Sequence, residues 1–432
     1  MKANFTCNSY ILTLLVMLAA AGCKPFEQND DRAAMQDNGP SNAFNVPGQV
    51  VMADSVFSIR LARKGNPGSA PFLNLNGSGQ LHLQFEILEF DSRQLRISFT
   101  HHNPDWSRSS LPPEFYQEGF YTLYLDAGQV SQNQRPDYRQ YSYEFPNDQV
   151  SFRRSGNYML RIEDTQTGHL LFTLPFFVFE NEGSVTSSIE TRQVPRQNHR
   201  ISHRPVSRYE LPGFVEQPLF DLEFYYVQNQ FWGRSRQAGE LDFSDEHDVQ
   251  FELSSEQSFT GDYEFLHLPL NSLSQTNSRI YEADPTQIPP LVHIYDDAEG
   301  FAAGRSLDGR YGRPDPGIRS SYANVIFTLD PEQSFAPNTE IYLTGDFNNW
   351  SIRADNRLRY NSGNDRWQTS AIIKQGQYNY KYVLLQNGKI DDLAFDDLFA
   401  RGRQEYHAMV YMHDSQQFYY RLLQINHFYE DF

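Results

Sequence analysis

The residues best placed to do chemistry stand near the start of the chain. Ala20-Ala21-Gly22-Cys23 sets small side chains directly before a cysteine, the pattern cut by lipoprotein signal peptidase once a diacylglyceryl group is on the thiol. Upstream lie a short positive region, Met1-Lys2, and a mostly apolar stretch from Tyr10 to Gly22. That stretch cannot span a bilayer core of ~30 Å, which takes about 20 helical residues. Residues 1–22 therefore read as a signal peptide and Cys23 as the acylated first residue. One departure is Ala20, where leucine is usual; Leu18 stands two residues earlier. The competing reading is ordinary secretory cleavage that leaves Cys23 unmodified. Small residues right up to a cysteine favour lipidation.

The cysteine count agrees with export. Cys7 leaves with the signal peptide, so the mature chain keeps one cysteine and can form no internal disulfide or thiolate metal cluster. His101-His102 invites a metal reading, but adjacent strand residues point to opposite faces and cannot easily chelate one ion. They read instead as a strand running into the turn Asn103-Pro104-Asp105, with Trp106 as plug. Asp391-Asp392 and Asp396-Asp397 lack a glycine-centred ligand loop and read as a solvated acidic loop, and Asp296-Asp297 and Asp308-Gly309 are read the same way. The chain has no nucleophile elbow, phosphate loop or His-Glu-Xaa-Xaa-His. No catalytic site, metal or cofactor is expected, and the chain is not read as an enzyme.

The elements that would position these residues are strands. Leu81-His82-Leu83-Gln84-Phe85-Glu86-Ile87 and Gln94-Leu95-Arg96-Ile97-Ser98-Phe99 alternate as half-buried strands should. Aromatics make up 15% of the sequence, which suits pleated surfaces, and helical periodicity is nearly absent. The fold class is all-β. The 36 Lys and Arg against 54 Asp and Glu give a formal charge of −18, or −19 once Lys2 is cleaved, which argues against nucleic acid or an anionic lipid surface as partner. The mature chain has room for two to four cores. Composition divides it into a lipidated cysteine and flexible tether over 23–46, a first β-sandwich over 47–181, a middle β domain over 182–320 and a third domain over 321–432.

The third block carries Ile341-Tyr342-Leu343-Thr344-Gly345-Asp346-Phe347-Asn348-Asn349-Trp350, then Arg366-Trp367-Gln368 and Gly376-Gln377-Tyr378-Asn379-Tyr380. This resembles the immunoglobulin-like early-set domains of glycogen-debranching enzymes and glycogen-sensing kinase subunits. The resemblance implies that Trp350 and Trp367, with Asp346, could contact a glycan or a partner. The alternative is that Phe347 and Trp350 simply pack the end of the sandwich.

The first block carries Glu89-Phe90-Asp91, then Leu95 through Trp106, Glu118-Gly119-Phe120, Tyr141-Ser142-Tyr143-Glu144-Phe145-Pro146-Asn147-Asp148 and Ser155-Gly156-Asn157-Tyr158. In this order the segments resemble the first domain of the Type IX secretion plug proteins of Bacteroidota, whose C-terminal domain is of the early-set kind. The family usually shows a cysteine before the Trp; here Asn103 and Pro104 occupy that vicinity, which removes any thiol role. The resemblance implies a non-catalytic plug that occludes the periplasmic mouth of the outer-membrane translocon barrel when it is idle. Lipid at Cys23 would hold it on the periplasmic face of the outer membrane, since Lys24 is not the Asp that favours inner-membrane retention. The alternative function is a glycan-binding outer-membrane lipoprotein that uses the third domain.

Overall fold

The computed structural model describes residues 43–132, 134–194, 200–297, 317–331, 334–396 and 403–429. Residues 1–22, expected to be a signal peptide, and Cys23, Asp308 and Asp397 lie outside them. The alternating segments form strands, and the two α-helices among the described residues are single turns, Pro113–Tyr116 and Pro218–Asp221, each opened by a proline that pre-sets the helical φ. No helix among these residues is long and apolar enough to cross a membrane.

The first sandwich packs two sheets face to face. One orders Val56–Arg63, Leu81–Ile87, Arg139–Phe145 and Gln129–Val130; the other orders Phe72–Asn74, Leu170–Phe179, Gly156–Asp164, Leu95–His102 and Leu123–Tyr124. Leu81, Leu83, Phe85 and Ile87 meet Leu95, Ile97 and Phe99 in one core, as a period of two requires. Glu86, on the opposite face of its strand, is nevertheless fully buried, because the third sandwich covers it.

Beyond residue 182 the strands are not divided where composition suggested. One sheet holds Ser184–Gln193, Ile201–Glu210, Asp248–Glu252 and Glu240–Asp242; the sheet facing it orders Arg236–Gln237, Leu222–Gln228, Glu405–Asp414 and Tyr419–Tyr429. Tyr225 pairs with Met409 and Gln228 with Tyr406, so the final hairpin completes the middle sandwich. The third sandwich begins earlier than residue 321, with Leu266–Pro269 pairing Gln377–Gln386 and Leu291–Ile294 pairing Tyr322–Leu329. Sheet pairing therefore crosses the 320/321 boundary in both directions. Leu268, Val292, Phe327, Leu343, Trp367 and Tyr382 share its core.

Two further apolar clusters join the sandwiches. Trp106, Met159 and Phe177, on the outside of the first, meet Val227, Trp232, Met409 and Leu422 of the second. Phe44, Phe231, Tyr263, Phe265 and Trp350 form the other. Phe44 and Val46 are 2% and 3% exposed, which corrects the expectation that the tether runs to residue 46. Phe44 lies 4.6 Å from the Phe231 ring and 5.5 Å from Trp350, so the ordered body already includes these two residues.

Candidate functional site

The His101–Trp106 segment ends the strand Leu95–His102 with its histidines on opposite faces. His101 Nε2 donates to the Ser155 carbonyl at 2.9 Å. His102 Nδ1 lies 2.8 Å from the Trp106 carbonyl, and its Nε2 lies 2.9 Å from Thr100 Oγ1. Burial pushes the His101 imidazole down to about 4 and also lowers His102; both are held neutral for packing. Trp106, at a φ of 66° in the left-handed region, turns its ring onto Phe177 at 5.5 Å.

Ser155, Asn157 and Glu180 grip the final hairpin. Tyr411 donates to Asn157 Oδ1 at 2.7 Å, and Leu422 N donates to Ser155 Oγ at 3.1 Å. Arg421 makes a two-pronged ion pair with Glu180, the geometry in which a guanidinium fork is strongest. Gly156 has a φ of 136°, and a Cβ there would lie 2.4 Å from His101 Nε2. This position requires glycine. The quoted motif residues thus seat the first sandwich on the second.

The turn Asp346–Asn348 brings two of the three suspected contact residues together. Trp350 Nε1 donates to Asp346 Oδ1 at 2.9 Å, and Asp346 Oδ2 accepts from Asn379 N at 2.8 Å. Trp350 is 1% exposed, among Phe44, Phe231 and Phe265. Trp367 is 2% exposed in a different cluster, against Tyr360 at 5.4 Å. Neither indole offers a face on which a sugar could stack.

The paired aspartates are not a solvated loop. Asp392 is buried between Arg234 and the Tyr263 hydroxyl; burial opposes its charge, yet the Arg234 guanidinium draws the carboxyl below the ordinary range. Asp396, fully buried, pairs with Lys381, whose Nζ also donates to the Glu264 carbonyl at 2.8 Å. Asp297 holds Arg279 and accepts from Tyr380 at 2.7 Å and Tyr382 at 2.6 Å. Only Asp391 of the described residues at 391, 392 and 396 is exposed. A polar run in sequence concealed these ion pairs because each cation lies on another element, Arg234 in the turn Trp232–Arg234 and Lys381 on the strand Gln377–Gln386.

What the first sandwich leaves in solvent is aromatic. Phe115, Phe120, Tyr121 and Tyr124 are 51, 64, 47 and 69% exposed, along the run from the Pro113–Tyr116 turn to the edge strand Leu123–Tyr124. The turn is fixed from below: Tyr116 is buried and donates to the Phe99 carbonyl at 3.3 Å, and Gln117 Nε2 donates to the Phe120 carbonyl at 2.6 Å. Exposed large aromatics held on a rigid support are the composition of protein-binding surfaces. The sequence motifs pointed to the third domain instead.

The overall architecture matches a crystal structure of a hypothetical protein from Parabacteroides merdae with a TM-score of 0.79, at 20% identity, over 88% of this chain and 99% of that one. The C-terminal domain of the AgI/II polypeptide BspA from Streptococcus agalactiae aligns at a TM-score of 0.17 and 7% identity, over 86% of this chain and 100% of that one. No curated protein matches the sequence. Residues 56–180, the first sandwich with its histidine-tryptophan turn and exposed aromatic run, match the family of the Type 9 secretion system plug protein, 1st domain.

Proposed function

We propose that this chain is a non-catalytic plug subunit that closes the periplasmic mouth of the Type 9 secretion translocon while the barrel is idle. The observation that carries the reading is the family match over residues 56–180. A barrel with a wide lumen would leak if left open. Three sandwiches locked by buried ion pairs and two shared aromatic clusters make a stiff body suited to filling an opening. The exposed run Phe115, Phe120, Tyr121 and Tyr124 supplies side chains of the kind that anchor such a contact.

Lipid on Cys23 would keep the plug beside its barrel on the periplasmic face of the outer membrane. Tethering raises the effective concentration, so a modest intrinsic affinity holds the pore shut yet permits release. The glycan reading draws no support from Trp350 and Trp367, whose faces are covered. The test is deletion in a strain that retains the translocon, scored by entry of large antibiotics. Increased entry, reversed by the wild-type gene, is expected; unchanged permeability contradicts occlusion.

A further inference from the structure

The final hairpin collects three metal-ligating side chains that play no part in the plug reading. Glu405 and His407 lie two apart on one strand and so share a face; His427 stands directly opposite His407 on the neighbouring strand. Their ligand atoms all fall within 4.8 Å of one another. Glu405 Oε1 is 2.8 Å from His427 Nε2 and 3.5 Å from His407 Nε2. Ligand atoms around a tetrahedral zinc with bonds of ~2.0 Å are separated by about 3.3 Å, so small shifts would complete the geometry. The two imidazoles stack with centroids 4.7 Å apart and planes 18° from parallel.

Two independent features mark the site as more than a hydrogen-bonded triad. His407 is 1% exposed, and its Nε2, the nitrogen that faces the cluster, reaches the carboxylate only at the longer distance. A buried imidazole so poorly partnered is uncommon. Glu405 is 5% exposed, and among the described residues no Lys or Arg pairs with it. A carboxylate taken out of water needs a positive partner, and a divalent ion supplies one.

The surroundings hold the cluster in place on three sides. Gln230 Nε2 donates to both Glu405 oxygens, at 3.1 and 3.2 Å, and fixes the carboxylate. Phe72 and Trp232, each with its ring centroid 5.2 Å from that of His407, wall the inner side. His427 is 41% exposed and opens the outer side to solvent.

We propose that Glu405, His407 and His427 bind one divalent transition-metal ion of the zinc class, with a fourth position left to water, and that the ion clasps the two strands of the hairpin. Two imidazoles and one carboxylate suit zinc, cobalt or nickel and not the oxygen-seeking calcium or magnesium. The site lies outside the first sandwich, so it stands or falls separately from the plug reading.

The test uses the mature chain without a polyhistidine tag, stripped with chelator and titrated with zinc chloride in a calorimeter. One equivalent should bind at about 100 µM zinc or below, and the Tm should rise with zinc but not with calcium or magnesium. His427→Ala, a change at a half-exposed position, should fold normally, weaken zinc binding about tenfold or more and abolish the Tm rise. Absence of stoichiometric binding by the wild type overturns the proposal, as does undiminished binding by the folded His427→Ala variant.

Discussion

Lys374 of the third sandwich forms an ion pair with Glu86 of the first, and the two side chains are 1% and 0% exposed. The Tyr322 hydroxyl also donates to Glu86 and lies 2.8 Å from Ser58 Oγ. A buried pair of this kind is weak evidence of stability as a whole but costly to break from one side. Lys374→Met should therefore destabilise the chain by about 3–5 kcal/mol, whereas Lys374→Met with Glu86→Leu should recover most of that loss. Denaturant unfolding of the two variants checks it; equal losses would show that the uncompensated charge is not the cause.

Gly156 makes a second prediction. Its positive φ and the 2.4 Å approach of an added Cβ to His101 Nε2 leave no room for a side chain. Gly156→Ala should cost about 2 kcal/mol or more. The damage should extend to the final hairpin, which rests on Ser155 and Asn157. Hydrogen exchange should report faster opening of residues 419–425, and unchanged protection there would contradict the linkage.

His101 gives a pH dependence with a fixed sign. Burial lowers its imidazole from 6.5 to about 4, so the unfolded chain binds more protons across that window. Stability from this residue is complete above pH 6.5 and is lost as pH falls toward 4. The full loss is about 3 kcal/mol, since each pKa unit is worth about 1.4 kcal/mol. His101→Gln retains a donor for the Ser155 carbonyl and does not titrate. Its stability, measured by denaturant unfolding at intervals of pH, should fall less than that of the wild type by about that amount.

Alternation of apolar residues made the all-β class legible, and the inward set Leu81, Leu83, Phe85 and Ile87 was readable residue by residue. Partnership was not. Nothing local in Leu222–Gln228 says that it pairs with Glu405–Asp414 rather than with a neighbour in sequence, and so the 320/321 boundary was misplaced. Phe44 and Val46 sit in a polar segment, and only the distant Phe231, Trp232 and Trp350 explain their burial. Asp392 and Asp396 look solvated until Arg234, from the turn Trp232–Arg234, and Lys381, from the strand Gln377–Gln386, pack against them. The alternation in Glu405-Tyr406-His407 sets two candidate ligands on one face, but His427 joins them only through hairpin register.

Trp350 separates the packing role from the glycan role. Its indole fills a pocket among three aromatic rings, so Trp350→Ala should cost about 3–5 kcal/mol. Wild-type protein should show no retention on α-glucan in affinity electrophoresis. Retention that Trp350→Ala abolishes in a folded variant would restore the glycan reading.

The exposed aromatic run tests the contact surface without touching the core. Phe120→Ala and Tyr124→Ala remove side chains that are 64 and 69% exposed and should change stability by no more than about 0.5 kcal/mol. Together they should reduce recovery of the translocon barrel with the tagged protein. Full recovery would move the interface elsewhere on the body.

Whether the chain plugs the translocon is decided by affinity purification of the tagged protein from gently solubilised membranes of a cell that makes the Type 9 machinery. The giant outer-membrane barrel is expected to co-purify with it. Clean recovery of the tagged protein without the barrel, from membranes shown to contain both, would contradict the plug role.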